Sequence, residues 1–96
     1  MINSSDRKKL RAIAHHLEPS VIIGKNGYND GVKVSIEELL DKRELIKIKF
    51  NDHKSLKKVI SKEIESDTNS YVVGMIGNIT ILYKQNKDPE KRTIEI

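Results

Sequence analysis

The sequence predicts an α/β fold, a single compact domain in which three helices pack on a mixed four-stranded sheet in the order α-β-α-β-α-β-β. Three observations predict it. Three segments carry apolar residues at the three- and four-residue spacing of a buried helix face. Runs rich in β-branched residues lie between them, and two of these runs are separated by Gly77-Asn78, a pair typical of tight hairpins. The 96 residues fit one domain with a modest core.

The first predicted helix is capped by Ser4 or Ser5 and ends before Pro19, because the residue preceding a proline avoids helical geometry. Its buried stripe consists of Leu10, Ile13, Ala14 and Leu17. The β-branched run Val21-Ile22-Ile23 then predicts a short buried strand. A tight loop bracketed by Gly24 and Gly27 follows it.

The second predicted helix is capped by Asn29 or Asp30 and leaves Val34 exposed. Its inner face consists of Val32, Ile36, Leu39 and Leu40. Residues from Glu44 to Phe50 alternate as in a strand. One face carries Ile46, Ile48 and Phe50, and the other carries Leu45, Lys47 and Lys49. Because a strand–helix–strand unit nearly always makes a right-handed parallel crossover, we expect the first two strands to be parallel.

The third predicted helix opens at Asn51 or Asp52. We expect Leu56, Val59, Ile60 and Ile64 to face inward and Lys54, Lys57, Lys58 and Lys62 to face solvent. Strands over about 71–76 and 79–84 complete the domain as an antiparallel hairpin. The domain therefore spans residues 1–84, and the remaining residues, 85–96, are predicted to be a flexible basic tail.

The composition restricts the function classes. Lys and Arg outnumber Asp and Glu by 18 to 14, giving a net charge of +4 and a pI near 9.3, which suits a polyanionic partner. The absence of cysteine excludes disulfides, thiolate metal sites and thiol catalysis. The apolar runs are too short to cross a bilayer, and the first residues do not resemble a signal peptide, so we expect a cytoplasmic protein with no membrane association.

The loop Gly24-Lys25-Asn26-Gly27 is the main candidate for a ligand site. Glycine lets a backbone approach a ligand closely, and the helix that follows offers free N–H groups to an anion. A GxxG loop of this kind clamps the nucleic-acid backbone in KH domains. The alternative is a plain turn between a strand and a helix with a solvated lysine. The loop is not a nucleotide-binding P-loop, because the long glycine loop and the Ser or Thr after the lysine are missing.

Three stretches resemble the signature of the CRM (chloroplast RNA splicing and ribosome maturation) domain family, whose free-standing bacterial members are called YhbY. They are residues 17–27, residues 43–49, and Ile76-Gly77 together with Leu82-Tyr83-Lys84. The resemblance runs from about Ser5 to Lys84. It departs from the family at Tyr28-Asn29, where members often have Leu-Thr, and at Gly74, which lies inside a predicted strand.

The resemblance implies a fold similar to the C-terminal domain of translation initiation factor three. It also implies RNA binding through the GxxG loop and neighbouring basic residues. For single-domain bacterial members it points to precursors of the large ribosomal subunit, and the lack of repeated domains argues against the intron-splicing role of plant members.

Further candidate RNA contacts surround the loop. Lys8 and Arg11 share one helix side with His15, and Lys47 and Lys49 project from a strand. These cations could instead be a solvated helix face and a device against strand aggregation. Tyr28 could stack on a base, although a tyrosine at a helix start more often packs against the protein.

No pattern predicts a catalytic residue, a metal site, a cofactor or a small-molecule substrate. The histidines His15, His16 and His53 lack the spacing of a metal site, and the carboxylates Glu37, Glu38 and Asp41 lack a neighbouring nucleophile. We therefore expect a monomeric, non-catalytic RNA-binding protein. The alternative is a docking module that binds proteins on the ribosome. An exposed neutral apolar patch would favour docking, and a continuous basic surface around the loop would favour RNA.

Overall fold

The computed structural model describes residues 2–96; Met1, with which the predicted domain begins, lies outside this range. The elements follow the predicted order of three helices and four strands. They are α1 (Ser4–Ala14), β1 (Val21–Ile23), α2 (Asp30–Arg43), β2 (Leu45–Phe50), α3 (Lys57–Thr68), β3 (Tyr71–Ile76) and β4 (Ile79–Tyr83). Short 3₁₀ turns cover Lys54–Leu56 and Pro89–Lys91.

The four strands form one mixed sheet in the spatial order β1-β2-β4-β3. Strands β1 and β2 are parallel, as predicted, and β4 pairs antiparallel with both β2 and β3. The hairpin turns at Gly77, whose φ of 56° is a conformation that glycine adopts readily. The predicted α/β architecture is confirmed.

The helices cover the two faces of the sheet unequally. Helices α2 and α3 pack on one face and bury a cluster centred on Ile36, Ile48 and Ile64. Helix α1 packs alone on the other face, where Leu10 and Ala14 meet Ile81. Because a single short helix covers this second face, part of it stays open.

The predicted cap and length of α1 were wrong. Asn3, rather than Ser4 or Ser5, caps the helix: its Oδ1 accepts from the Asp6 amide at 2.8 Å, and Asp6 Oδ2 accepts from the Asn3 amide at 3.1 Å. The helix ends at Ala14, where the backbone tightens into bonds between residues three apart. Leu17 consequently lies beyond the helix and is exposed.

The middle residue of β1 is also not buried as predicted. Strand β1 is an edge strand, and Ile22 points to the face of the sheet that α1 covers only in part. Its side chain is therefore 57% exposed, whereas Val21 and Ile23 point to the opposite face and are buried.

Helix α3 begins later than predicted. The amides of Asn51 and Asp52 donate to the carbonyl of Ile23 at 3.0 and 3.2 Å, so both residues extend the sheet end instead of opening a helix. The later start turns Leu56 and Val59 toward solvent, contrary to the prediction that both face inward. The buried side of α3 carries Ile60, Ser61, Ile64 and Thr68.

Glu44, predicted to begin a strand, instead ends α2 with a φ of 59° and is 1% exposed. Its two carboxylate oxygens accept from the amides of Asn86 and Thr93, both at 2.7 Å. Burial raises the pKa of Glu44, but the backbone N–H donors of Asn86, Thr93 and Ile94 outweigh it, so the pKa lies below its usual value. The buried carboxylate thus fastens the end of the chain to the domain.

The segment 85–96 follows a defined path over the domain. Ile94 packs against the core cluster beneath α1, and Arg92 Nε donates to the Asn86 carbonyl at 2.8 Å. The segment contains as many carboxylates as cations, so the prediction that it is basic is wrong. The cations are Lys87, Lys91 and Arg92, and the carboxylates are Asp88, Glu90 and Glu95. The flexibility of the segment stays a prediction.

Candidate nucleic-acid interface

The GxxG loop joins the end of β1 to the start of α2. The Gly27 amide donates to the Gly24 carbonyl at 3.0 Å and closes a four-residue turn. Gly27 has a φ of 66°, which disfavours any residue with a side chain. A Cβ added at Gly24 would meet nothing within 4 Å. The backbone at Gly24 is therefore open to a ligand, and the side chains of Lys25 and Asn26 are exposed beside it.

The helix that follows the loop is capped by Asn29, one of the two predicted caps, whose Oδ1 accepts from the Val32 amide at 3.0 Å. Asp30 occupies the first turn and already complements the positive end of the helix dipole. The dipole is consequently less available to an outside anion than the sequence suggests. Lys25 and the loop backbone are the better-placed groups for a phosphate.

The side chain of His53 packs against the loop and holds it in place, a role that the sequence analysis did not predict. Its ring lies against Gly27, where an added Cβ would be 3.5 Å from Nε2. His53 Nε2 lies 3.0 Å from the carbonyl oxygen of Lys25. Because a carbonyl can only accept, Nε2 carries the proton and donates. His53 itself has a left-handed backbone with a φ of 54°, which directs its ring under the loop.

The turn between β3 and β4 lies at the same end of the sheet. The Phe50 amide donates to the Asn78 carbonyl at 2.8 Å, and Lys57 Nζ donates to the Gly77 carbonyl. These contacts join three segments into one surface, called here the loop end of the sheet. It consists of the Gly24–Gly27 loop, residues 51–56 and the Gly77-Asn78 turn. Lys57, assigned from sequence to a solvated helix face, belongs to this surface. One carboxylate, Asp52, also lies here and accepts from the His53 amide at 2.7 Å.

The four strands carry positive charge and no negative charge. Lys47 and Lys49 are the only charged residues in the four strands, which contain no Asp or Glu. Lys47 Nζ donates to the Leu17 carbonyl at 2.9 Å, which ties it to the connection between α1 and β1. Lys49 is exposed, one residue before the end of β2, and is therefore the strand lysine nearer the loop end.

The two candidates on α1 differ in their surroundings. Arg11 lies against β3: its Nη1 donates to the Val73 carbonyl at 3.1 Å, and a Cβ at Gly74 would lie 2.8 Å from its Cδ. The glycine inside β3 therefore makes room for the arginine stem. Lys8 is exposed on the outside of the helix. Both remain candidate contacts, with the Arg11 guanidinium partly engaged by the protein.

Tyr28 is engaged by the protein and not presented to solvent as a free ring. It packs against the core cluster beneath α2 and α3, and its hydroxyl donates to Asp67 Oδ2 at 2.8 Å. Burial, followed by the hydrogen bond to Asp67, raises the pKa of the Tyr28 hydroxyl. These contacts favour the packing alternative over base stacking for this residue.

Within residues 2–96, no three His, Cys, Asp or Glu side chains are grouped so that they could hold a metal ion. None of the helices in the same range is long and apolar enough to span a membrane.

Comparisons with known proteins match nearly the whole chain. The family model for the CRS1 / YhbY (CRM) domain matches residues 2–84. "Probable RNA-binding protein YqeI" of Bacillus subtilis is 35% identical over 97 residues, which cover 100% of this chain and 99% of that protein. An RNA-binding protein of Haemophilus influenzae is 34% identical over 88 residues, covering 91% and 89%. The solution structure of the hypothetical protein SAV1595 from Staphylococcus aureus has a TM-score of 0.81 at 28% identity, covering 99% of this chain and 100% of that one.

Proposed function

This chain belongs to the CRS1/YhbY (CRM) domain family, and we propose that it is a non-catalytic RNA-binding protein that holds the RNA backbone at its GxxG loop. The family membership confirms the resemblance found in the sequence. Relatives in two bacteria, 35% and 34% identical, carry names that describe RNA binding. Those names support RNA as the partner class of this chain.

The observation that carries the proposal is the open backbone of the loop. The loop is fixed by the Gly24–Gly27 turn and by the ring of His53, while Gly24 itself faces empty space. A fixed loop binds with little loss of conformational entropy, and an unobstructed glycine lets a phosphate reach backbone N–H groups. Lys25 adds a charge-assisted contact at the tip.

Basic residues around the loop would supply the remaining affinity. Lys49 on the open sheet face and Lys57 at the hairpin turn flank the loop, and Lys8, Arg11 and Lys47 extend the cationic surface along α1 and β2. Contacts of this kind act on phosphates and carry no sequence information. Affinity should therefore depend steeply on salt and weakly on base sequence.

The proposed RNA is a precursor of the large ribosomal subunit, bound by a monomeric protein in the cytoplasm during ribosome assembly. Two observations support this proposal: the family membership of the chain, and the cationic loop end, which suits a dense array of phosphates.

Protein docking on the ribosome is the second candidate function. The observation that favours it is exposed apolar surface, since Ile22, Val59 and Ile76 are each more than half exposed. The apolar positions are, however, divided between the open sheet face and the outside of α3. Ile22 and Ile76 lie in the same row as Lys49 and so do not form the neutral patch that docking would require.

The proposal can be tested by sedimenting cell extract through a gradient that separates ribosomal subunits, with the protein followed by antibody. We expect it to migrate with large-subunit precursors at low salt and to return to the top of the gradient in a Lys25→Ala, Lys49→Ala, Lys57→Ala variant. A wild-type protein that stays at the top at low salt would contradict the ribosomal assignment. Migration unaffected by the three substitutions would favour docking.

A further inference from the structure

One row of residues crosses all four strands just before the loop end. Cross-strand pairing places Ile22 beside Lys49, Lys49 beside Ile79, and Ile79 beside Ile76. Paired residues point to the same side of a sheet, here the side on which α1 packs. Three isoleucines and one lysine therefore form a continuous strip, called here the isoleucine row, about 14 Å wide at a strand spacing of about 4.8 Å.

Helix α1 stops short of this row. Arg11 lies over Gly74, which pairs with Ile81 in the neighbouring row, and the helix ends at Ala14. The isoleucine row is consequently open at its two ends: Ile22 is 57% exposed and Ile76 is 65% exposed, while Ile79 between them is half-buried. Large apolar side chains on a strand surface gain stability from cover, and within residues 2–96 the fold covers Ile79 in part and leaves Ile22 and Ile76 mostly uncovered.

The row is continuous with the proposed phosphate site. Ile22 precedes Gly24 by two residues in an extended chain, so the edge of the row and the loop are neighbours. Lys49 lies inside the row, and Arg11 and Lys47 border it. Since the strands contain no carboxylate, the surface is apolar and positively charged, which matches the bases and phosphates of nucleotides and repels a basic protein partner.

We infer that the isoleucine row receives the bases of a single-stranded RNA segment whose backbone lies on the Gly24–Gly27 loop. The inference rests on the proposed function and specifies its substrate class. Apolar surface gains from contact with the faces of bases, which a duplex hides within its stack. Other RNA-binding folds carry two or three bases on a four-stranded sheet, a number that also suits a strip about 14 Å wide.

The chemistry of the row also determines the kind of specificity. Isoleucine side chains offer no hydrogen bonds to base edges, and the row contains no aromatic ring. The affinity would therefore depend little on which bases are present and strongly on whether the bases are unpaired. The protein should prefer single strands to duplexes of the same length, although the duplex carries about twice the phosphate charge.

The direct test observes the row in the unmodified protein. Isoleucine δ1 methyl groups are labelled, and their NMR signals are followed while a single-stranded oligouridine of about 12 nucleotides is added. We expect the methyl signals of Ile22, Ile76 and Ile79 to shift through ring currents of the bases. Ile36, in the core under α2, is the internal control and should not shift. A blunt duplex of the same length should leave the methyl signals of the row unshifted.

A matched pair of variants provides the second test. Ile22→Thr with Ile76→Thr keeps the β-branched shape but removes apolar surface from the row, and we expect about tenfold weaker binding of the single strand with an unchanged salt slope. Val34→Thr with Val59→Thr makes the same kind of change at exposed positions on α2 and α3, and its affinity should stay within about twofold of wild type.

The outcomes separate the inference from the function on which it rests. If Lys25→Ala weakens binding but the isoleucine variant and the row methyls respond no more than their controls, the protein binds RNA and the row is not its base platform. Equal affinity for duplex and single strand would overturn the inference in the same way. If neither RNA binds at low salt, the proposed function falls as well.

Discussion

At one end of the sheet the Glu44 carboxylate is buried and accepts hydrogen bonds from the amides of Asn86 and Thr93. At the other end the loop Gly24–Gly27 leaves its backbone open beside Lys25. Both ends therefore bring backbone donors or cations to a place suited to an anion. At the first end the chain supplies its own anion, and the surface is closed; at the second the proposed RNA would supply the anion.

The comparison suggests a division between stability and binding. Contacts that span the chain, from residue 44 to residue 93, stabilise the fold but have no access to a ligand. The loop end has few buried side chains and many exposed polar groups, so changes there should alter binding more than folding.

Replacing Glu44 with Ala should destabilise the fold more than any change at the loop end and should leave RNA binding intact. Removing the carboxylate leaves the amides of Asn86 and Thr93 without their acceptor in a partly buried place, at a loss of about 2–3 kcal/mol in the free energy of unfolding. Urea denaturation measures the loss. Oligonucleotide affinity, measured where the variant is folded, should match wild type.

The pH dependence of the same site gives a control. Because the folded pKa of Glu44 lies below its unfolded value of 4.5, its contribution is fully present above pH 4.5 and is lost as the pH falls through the folded pKa. A Glu44→Gln variant lacks this titration, so its deficit relative to wild type should shrink in acid. A deficit that stayed constant from pH 7 into acid would contradict the role of the charge.

At the loop end, Gly24→Val should show the opposite pattern. The site has room for a side chain, so the free energy of unfolding should change little, while the added methyl groups keep a phosphate from the backbone and weaken RNA binding about tenfold or more. Gly27→Ala is the contrasting variant, because its φ of 66° makes a side chain destabilising by about 1 kcal/mol. Equal loss of stability in both would contradict the open site.

A smaller effect is expected for Lys25→Ala. Loss of one phosphate contact should lower the slope of log affinity against log salt by about one unit, across all RNA sequences. Lys87→Ala removes the same charge from the segment that packs at the Glu44 end, and its slope should equal that of wild type. An unchanged slope in the Lys25 variant would remove this lysine from the site.

The sequence predicted the parts of the molecule that have local signatures. Helix and strand periodicities, the hairpin at Gly77-Asn78 and the GxxG loop between a strand and a helix are all properties of neighbouring residues. The contacts that it missed join distant positions: Glu44 with Thr93, His53 with Lys25, and the row from Ile22 to Ile76. No local pattern marks such pairs, because the strand order and the late start of α3 bring them together.

The His53 contact belongs to this missed group and carries the smallest predicted effect. His53→Asn keeps a residue type that tolerates the left-handed backbone, but removes the ring from beneath Gly27 and the donor from the Lys25 carbonyl. The free energy of unfolding should change by less than about 1 kcal/mol, since the contact is at the surface. RNA affinity should fall about two- to threefold, because a loop that is no longer held in place must be ordered on binding.

The matched control for that change is His16→Asn, which alters an exposed histidine just beyond the end of α1. Binding isotherms for wild type and the two variants at one salt concentration, with urea curves beside them, distinguish a positioning role from a general loss of stability. If His16→Asn weakened binding as much as His53→Asn, the effect would not come from the loop. A loss of affinity confined to the His53 variant, with its salt slope unchanged, would show that the loop end needs internal support to hold an external anion. The Glu44 end differs because the chain itself supplies both the donors and the anion.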